Sequence, residues 1–532
     1  MPTVERPECV PQATPAPRAS TASDTSRIAV ASMEWGIVLA VSAVVLLLEI
    51  PAAIHRPLWF DELSTLFMTW QPTLADMFHA IPTDGNPPLY FLLARIFLHL
   101  PVSTELAMRL PSILAFNATA IAVYIFVRRV ASFPAAMLSM CLVLGSFIGQ
   151  QYAIEARAYT LLLLCAMAQL CSWQEYRRGS RKTAALAGVA ISAACAVLTH
   201  QYGLIYVAVP LLAGEVTAWI ENRKIDPRPL AAMVAGAVPT LAYTIPTMLS
   251  GQRGLLQMIR TAPHFWARPH AYLLDQYIQV FPVFASGLAV IAGVVWLAII
   301  VLIPQSHRVS TQQAESYAPE LAAADLLLLF VPLMMTVTAM GTGYFLPRYG
   351  LGASIGMAMV CGLLAQSGIA RWPKFQAIAY LPAAYAIVLA AARFYLIFHP
   401  VLSYNAREEL VARAPADLPI VVENALEFSP AWWYSDASMR PRLHYLSDLD
   451  YTFHNSDPLP EYCLEWEKQY TPMHMDAYSA FIATHPKFLI FSDGQPRLEW
   501  VRTRLAARGW SVEPLEKNDS GRLYLATHRR NP

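Results

Sequence analysis

Two adjacent carboxylates, Asp61 and Glu62, follow directly on the first long apolar segment of the chain. Unpaired carboxylates at the edge of a lipid bilayer are costly, so they indicate a functional site by default. Successive helical residues point about 100° apart, so one carboxylate can face a reacting hydroxyl group while the other orients a partner or ligand. We treat both as candidate catalytic residues, with Asp61 as the general base. The alternatives are a helix cap or a salt bridge, and the pair could also ligate a divalent cation.

Basic residues at the ends of later apolar segments offer a site for an anion. Arg157 and Arg348 each lie close to a tyrosine, and guanidinium groups bind phosphate in a bidentate way. A phosphate-bearing lipid headgroup is therefore a natural ligand. His200 and Arg109 are further candidates to bind this phosphate, because the predicted topology places them on the same side of the membrane. Alternatively, the arginines extend to the headgroups of ordinary phospholipid. For His200, the alternative is a structural role at a helix end. Glu155 could also pair with Arg157, which would make both merely structural.

Tyrosine side chains accompany these cations and complete the candidate site. Tyr159 follows Arg157 by two residues, and Tyr349 follows Arg348 directly. Two prolines restrict the backbone just before Tyr90, so this turn is predicted to fix the start of the next helix. We expect the substrate to contact four tyrosines: Tyr90, Tyr152, Tyr159 and Tyr349.

The composition explains why these charged residues stand out. Of the 532 residues, 56% are hydrophobic and only 14% are charged, whereas soluble domains carry about 25% charged residues. The chain is therefore predicted to be an integral membrane protein. Its net charge of +1 argues against nucleic acid as a partner, because binding of nucleic acid normally needs a basic face. The seven cysteines fall in no ligand pattern, so we predict neither a zinc site nor a disulfide framework.

One short apolar run decides the predicted membrane topology. The first apolar segment, at about 35–54, is long enough to cross the bilayer and follows a disordered, cytoplasmic tail at 1–33. The run at 88–100 has only 13 residues and contains Arg95 and His99, so we predict that it lies in the interface. Ten further spans are then predicted at about 110–127, 134–150, 159–174, 183–199, 203–220, 230–250, 283–303, 325–345, 350–368 and 375–398.

This topology of eleven spans satisfies the positive-inside rule, because the clustered arginines and lysines fall in cytoplasmic loops. A spanning segment at 88–100 would invert every later loop. With eleven spans, the loops that carry the candidate site residues lie together on the non-cytoplasmic side. The predicted domains are a transmembrane domain at 34–399, with its first outer loop at 55–109, and a soluble α/β domain at 400–532. Short strands are expected at 420–422 and 487–491 and a helix at 497–508.

Six segments of the chain resemble those of a known family, in their order and on the same side of the membrane. They read LWFDE, NPPLYF, MRLPS, YAIEARAYTLLLL, LTHQYG and FLPRYG. The chain resembles the polyprenyl-phosphate-sugar-dependent glycosyltransferases of the GT-C superfamily. Within it, the chain looks like the branch of dolichyl-phosphate-mannose-protein mannosyltransferases, which in bacteria includes lipid A aminoarabinose and lipopolysaccharide-core galacturonic acid transferases. The resemblance covers about residues 35–370.

The resemblance implies an inverting transfer of a sugar from a polyprenyl phosphate to a hydroxyl group of a glycolipid, polysaccharide or protein acceptor. It implies that the enzyme acts on the periplasmic face of the bacterial inner membrane. By that similarity Asp61 would be the base or the acceptor-orienting carboxylate, and Arg157 and Arg348 would hold the lipid phosphate. Many relatives carry lysine where this chain has His200, so a role of this histidine in phosphate binding is an open expectation. No cofactor is expected beyond a divalent cation that the carboxylates could hold.

Two other classes of protein remain as alternatives on the sequence alone. A transporter or flippase of lipid-linked sugars would also use arginines and acidic residues within the membrane. Such transporters often contain internal repeats with interrupted helices, and we find no such pairing in the sequence. A structural membrane subunit would leave the clustering of polar residues on one side unexplained.

Overall fold

The computed structural model describes residues 21–280, 317–371 and 415–528, apart from residues 180, 264, 266, 268–272, 416 and 519. The chain first forms a helical region and then a smaller domain built on a β-sheet. The helices of the first region are α1 (Thr21–His55), α2 (Phe60–Thr69), α3 (Leu74–Ala80), α4 (Leu89–Phe97), α5 (Thr104–Arg128), α6 (Phe133–Leu144), α7 (Phe147–Ala153), α8 (Tyr159–Arg177), α9 (Lys182–Thr199), α10 (Gly203–Asn222), α11 (Arg228–Thr261), α12 (Leu273–Val280), α13 (Ala318–Leu328), α14 (Phe330–Met340) and α15 (Gly352–Arg371).

Six helices in the described part of the chain are long and apolar enough to cross a membrane. The count rises to eight if two bent pairs each form one span, because α6 and α7 meet at 61° and α13 and α14 at 53°. Of the predicted spans, 159–174 forms α8, while 283–303 and 375–398 lie outside the described residues. A polytopic helical membrane protein is thus confirmed, and the count of eleven spans stays a prediction.

The predicted span at 134–150 is not one straight helix. Helix α6 ends at Leu144, and Ser146 caps a new helix by accepting a hydrogen bond from the Gly149 amide at 3.2 Å. An N-cap serine satisfies an amide that would otherwise lack a partner at the start of a helix. This cap explains why the apolar segment bends at residues 145 and 146.

The first outer loop consists of three short helices. The predicted interfacial run forms α4, which has nine residues and is therefore about 14 Å long, too short for about 30 Å of hydrocarbon. Helix α3 begins at a capping box in which the Thr73 hydroxyl accepts from the Asp76 amide at 3.1 Å. Helix α2, which carries the adjacent carboxylates, is buried along most of its length.

The C-terminal domain contains a six-stranded sheet in the order β3-β2-β1-β4-β6-β5. The first four of these strands are parallel, and β6 and β5 add in antiparallel directions. Its elements are β1 (Ile420–Val422), α16 (Ala425–Tyr434), β2 (Leu443–Ser447), α17 (Leu449–Asn455), α18 (Leu459–Glu467), β3 (His474–Ala477), α19 (Tyr478–Thr484), β4 (Lys487–Ser492), α20 (Val501–Ala507), β5 (Ser511–Asn518) and β6 (Gly521–Thr527). The α/β prediction is confirmed, although the helix expected at 497–508 is shorter. The predicted domain boundaries stay predictions.

The two faces of this sheet bury different sets of residues, because successive side chains of a strand point to opposite faces. Val421 and Ile490 pack with α19 and α20. Ile420 and Leu489 join a second cluster that also contains Leu63 of α2. The sheet therefore packs against the helix that carries the adjacent carboxylates, and the two parts of the chain share one hydrophobic core.

Candidate active site

Helix α2 places its two carboxylates in different environments. The Trp59 amide donates to Glu62 Oε2 at 3.2 Å, so the Glu62 side chain caps the helix to which it belongs. The Glu62 side chain is fully buried, whereas that of Asp61 is 20% exposed. Only Asp61 is therefore open to a ligand.

A buried ion pair between Glu62 and Arg109 lies beneath the site. Arg109 Nε donates to Glu62 Oε1 at 2.7 Å, and Nη2 donates to Oε2 at 2.5 Å. The Ala156 amide also donates to Glu62 Oε1, at 2.7 Å. The other N–H groups of Arg109 donate to three backbone carbonyls, those of Ala53, Arg56 and Pro57.

This pairing occupies both side chains completely. A guanidinium group has five N–H donors, and all those of Arg109 are engaged, so none is left for a lipid phosphate. Burial disfavours the charged form of Glu62, but the charge and hydrogen bonds of Arg109 outweigh burial and hold the pKa of Glu62 below its usual value. The geometry differs from the expected roles of Glu62 in catalysis and of Arg109 in phosphate binding. Both instead hold the loop after α1 in place.

The exposed carboxylate pairs with an arginine from a distant part of the chain. Arg348 Nη1 donates to Asp61 Oδ2 at 3.1 Å, and the side chains are 18% and 20% exposed. The guanidinium of Arg348 also lies 5.5 Å from the centre of the Tyr159 ring. Its Nε is buried without a hydrogen-bond partner in the described structure. Because a buried N–H normally has a partner, this atom indicates a site that a ligand completes.

Arg157 lies beside this pair and is almost fully buried. Its Nη1 donates to Asp84 Oδ1 at 2.9 Å, to Thr65 Oγ1 at 3.0 Å and to the Asp61 carbonyl at 3.2 Å. The hydrogen bonds that Arg157 donates to described residues all leave from this one nitrogen. Its Nε and Nη2 groups are therefore available to a phosphate oxygen. The two arginines that the sequence assigned to phosphate thus flank Asp61.

Glu155 does not pair with Arg157, in contrast to one alternative considered from the sequence. Its Oε1 accepts from Arg56 Nη2 and from Gln151 Nε2, both at 3.3 Å. The side chain is 2% exposed, and burial raises the pKa of Glu155 above its usual value. The partner of Arg157 is Asp84, which leaves Glu155 outside the pair.

His200 is a neutral hydrogen-bonding group in this site. It is 3% exposed, and its Nδ1 accepts from the Tyr202 amide at 3.1 Å, so its proton lies on Nε2. Burial and the positive charges of Arg157 and Arg348 lower the pKa of His200 to about 3. The environment therefore favours His200 as a neutral hydrogen-bond donor over His200 as a cation.

Three of the predicted tyrosines form an aromatic cluster with this histidine. The ring centres of Tyr152 and Tyr159 are 5.0 Å apart, and that of Tyr159 lies 5.5 Å from His200. The ring centre of Tyr349 lies 6.0 Å from that of His200. These rings provide an apolar wall beside the arginines.

Tyr90, the fourth predicted tyrosine, lies in the interior. It is 1% exposed, and its hydroxyl group donates to the Met108 carbonyl at 3.0 Å and contacts Ser112 Oγ at 2.8 Å. Its polar atom is therefore used within the protein. Substrate contact, as predicted for this residue, does not fit its position.

The adjacent carboxylates do not converge as ligands of one cation. Both oxygens of Glu62 accept hydrogen bonds from Arg109, while Asp61 faces Arg348. Within the described residues, no group of three or more histidine, cysteine, aspartate or glutamate side chains could hold a metal ion.

Two acidic residues at the site were missed in the sequence analysis. Asp84 precedes Gly85, whose φ of 83° requires a left-handed conformation that glycine adopts easily. The Asp-Gly pair therefore indicates a turn, but not that the turn reaches Arg157. Glu467, from α18, is buried near Asp61 and Asp84, whose charges act on it. Its approach depends on the packing of the C-terminal domain, which no local pattern reveals.

Comparisons with known proteins agree with this architecture. A family model described as dolichyl-phosphate-mannose-protein mannosyltransferase matches residues 85–247. Crystal structures of ArnT from Cupriavidus metallidurans, bound to undecaprenyl phosphate and in the apo state, match with TM-scores of 0.58 and 0.57. They are 13% and 14% identical to this chain and cover 92% and 93% of it, and 98% of each ArnT chain is covered. No curated protein sequence matches the chain.

The fold is therefore that of a polytopic membrane protein similar to ArnT. With the family model, this fold assigns the chain to the GT-C superfamily. The resemblance seen in the sequence motifs is thereby confirmed at the level of the superfamily.

Proposed function

We propose that the protein is a membrane glycosyltransferase that moves a sugar from a polyprenyl-phosphate donor to a hydroxyl group of an acceptor, with inversion at the anomeric carbon. The acceptor is a glycolipid, a polysaccharide or a protein. We place the site and the C-terminal domain on the periplasmic face of a bacterial inner membrane. The observation that carries the proposal is the partly exposed pair of Asp61 and Arg348, with Arg157 beside it.

The arginines are suited to the phosphate of the donor. Arg348 uses Nη1 for Asp61 and has a buried Nε without a partner in the described structure, so one edge of its guanidinium is available to an anion. Arg157 provides a second charge, and a neutral His200 can donate from Nε2. Phosphate is the leaving group, so donors that stabilise its growing negative charge lower the barrier. The ArnT structure bound to undecaprenyl phosphate supports a lipid phosphate as the ligand of such a fold.

Asp61 is suited to remove the proton of the acceptor. Its Oδ2 accepts from Arg348, while its Oδ1 has no hydrogen bond to a described residue. In the proposed step, this carboxylate takes the hydroxyl proton as the acceptor oxygen bonds to the anomeric carbon. The bond from that carbon to the phosphate oxygen breaks, and its electron pair leaves with the polyprenyl phosphate. A single displacement of this kind inverts the anomeric configuration.

The test is transfer of radiolabelled sugar from undecaprenyl-phosphate sugars to envelope material from a strain that lacks the protein. We expect Asp61→Asn to lower transfer by about 10²–10⁴-fold, the usual contribution of a general base, while the donor still binds. Asp450→Asn, at an exposed position in α17, is the matched control and should transfer normally. Transfer by Asp61→Asn at the wild-type rate would remove Asp61 from the mechanism. Mass spectrometry of the labelled product identifies the acceptor.

A further inference from the structure

The buried face of helix α18, which packs in a hydrophobic core, carries an acidic side chain. Its buried residues are Pro460, Glu461, Leu464 and Glu467. Pro460, Leu464 and Glu467 are spaced by four and three residues, so they share one face of the helix. Leu464 on that face belongs to the hydrophobic core that the sheet shares with α2. The last residue of the helix, Glu467, therefore lies on the face that packs toward α2.

The two buried glutamates of α18 differ in how their carboxylates are satisfied. Glu461 accepts three hydrogen bonds within the C-terminal domain, from Tyr445, Ser447 and the Asp448 amide. Glu467 is 3% exposed, and neither of its carboxylate oxygens has a hydrogen-bond partner in the described structure. The Ser64 hydroxyl lies close enough to lower the pKa of Glu467, but it does not reach hydrogen-bonding geometry with either oxygen. Burial of a polar group without a partner is costly, so Glu467 indicates a ligand that supplies the missing partner.

The surroundings of Glu467 are those of the site itself. Burial, and then the charges of Asp84 and Asp61, raise the pKa of Glu467 to about 8, while Arg157 and Ser64 act in the opposite direction. Cys463, one turn earlier on the same helix, is within range of the same three charged residues. At neutral pH the Glu467 carboxyl group is therefore largely protonated, with one O–H donor and one carbonyl acceptor.

We propose that Glu467 binds a hydroxyl or amino group of the sugar that is transferred, which rests on the proposed glycosyltransferase function. The sugar must lie between the phosphate, held by the arginines, and the hydroxyl group that Asp61 activates. Glu467 follows Leu464 on the helix face that packs in the core shared with α2, and the charges of Arg157 and Asp61 act on it, so it lies beside that space. The soluble domain thereby contributes a substrate-binding residue to a site built on the membrane helices. No bond to Glu467 forms or breaks in the reaction.

The experiment compares binding of three lipids to the full-length protein in detergent, by tryptophan fluorescence. The lipids are undecaprenyl phosphate, undecaprenyl phosphate mannose and undecaprenyl phosphate aminoarabinose. We expect wild type to bind at least one sugar-bearing lipid more tightly than the bare lipid. Glu467→Met, which keeps the size of the side chain, should reduce this preference about tenfold and leave binding of the bare lipid unchanged. Glu465→Met, on a less buried face of α18, should change neither.

The other variants separate the outcomes. Glu467→Gln keeps a neutral donor and acceptor, so it should retain preference for a hydroxyl group. An ammonium group would instead favour the ionised form of Glu467 and pair with it, so preference for that group should be lost in Glu467→Gln. Arg348→Ala should weaken binding of all three lipids. If both Glu467 variants keep the wild-type preference for a sugar-bearing lipid over the bare lipid, the assignment of Glu467 is wrong. It is also wrong if wild type binds the bare lipid as tightly as it binds either sugar-bearing lipid. A wild type that binds none of the lipids contradicts the proposed function instead.

Discussion

Methionine substitutions of Arg109 and Arg348 test whether the two arginine–carboxylate pairs have different roles. The side chains of Arg109 and Glu62 are 0% exposed, whereas those of Arg348 and Asp61 are 18% and 20% exposed. Removal of one partner from a fully buried pair costs about 3–5 kcal/mol, because an uncompensated charge stays in the interior. A pair that reaches solvent contributes only about 0–1 kcal/mol.

We therefore expect Arg109→Met to lower the free energy of unfolding by about 3–5 kcal/mol, or roughly 10²–10⁴-fold in the unfolding equilibrium. Arg348→Met should lower it by less than about 1 kcal/mol. Binding of undecaprenyl phosphate should show the opposite order. It should be weakened by Arg348→Met and unchanged in the folded fraction of Arg109→Met.

The assay is unfolding in mixed micelles of sodium dodecyl sulfate and dodecyl maltoside, followed by tryptophan fluorescence, with lipid titration of the folded fraction. A further variant, Glu62→Leu combined with Arg109→Met, removes both charges. It should be more stable than Arg109→Met alone, because no charge is left unpaired. Wild-type stability together with lost lipid binding in Arg109→Met would refute the structural role and return Arg109 to the phosphate site.

Three further predictions concern residues around the site. His200 has a pKa of about 3 in the folded protein and about 6.5 when unfolded, so the free energy of unfolding should fall as the pH drops below 6.5 toward 3. The loss between pH 7 and pH 5 should be smaller in His200→Gln than in wild type. An equal loss in the two proteins would contradict a neutral histidine. Phe67→Ala should cost about 3–5 kcal/mol of unfolding free energy in the same micelle assay, because Phe67 is 7% exposed in the core shared by α2 and the sheet, and a near-zero cost would argue against that packing. Tyr90→Phe should cost about 1–2 kcal/mol and leave lipid binding unchanged, since its hydroxyl group bonds only within the protein, whereas weaker lipid binding would restore it to the substrate site.

The sequence predicts much of the fold, because each element carries a local pattern. Apolar segments of sufficient length mark the membrane helices, and the run at 487–491 marks β4, which is buried on both faces. The charge bias of the loops also groups Asp61 with Arg157 and Arg348, which the structure brings together. These features depend on composition and spacing alone.

The roles of individual polar residues are less predictable, since they depend on distant partners. Arg109 resembles the other interfacial arginines in sequence, but its five donors are used within the protein. The charge state of His200 depends on burial and on neighbouring arginines rather than on residue type. Glu467 approaches the site only when the C-terminal domain packs on α2.

The core shared by α2 and the sheet also sets an order for maturation of the protein. The Leu58 amide donates to the Tyr434 hydroxyl group at 2.8 Å, across a separation of 376 residues. At about 5–20 residues per second, synthesis of that interval takes roughly 20–75 s. During this time the C-terminal domain is not yet complete, so the apolar face of α2, the helix that carries Asp61, lacks the sheet that packs against it. The nascent chain therefore carries Asp61 and Arg157 long before the candidate site can assemble.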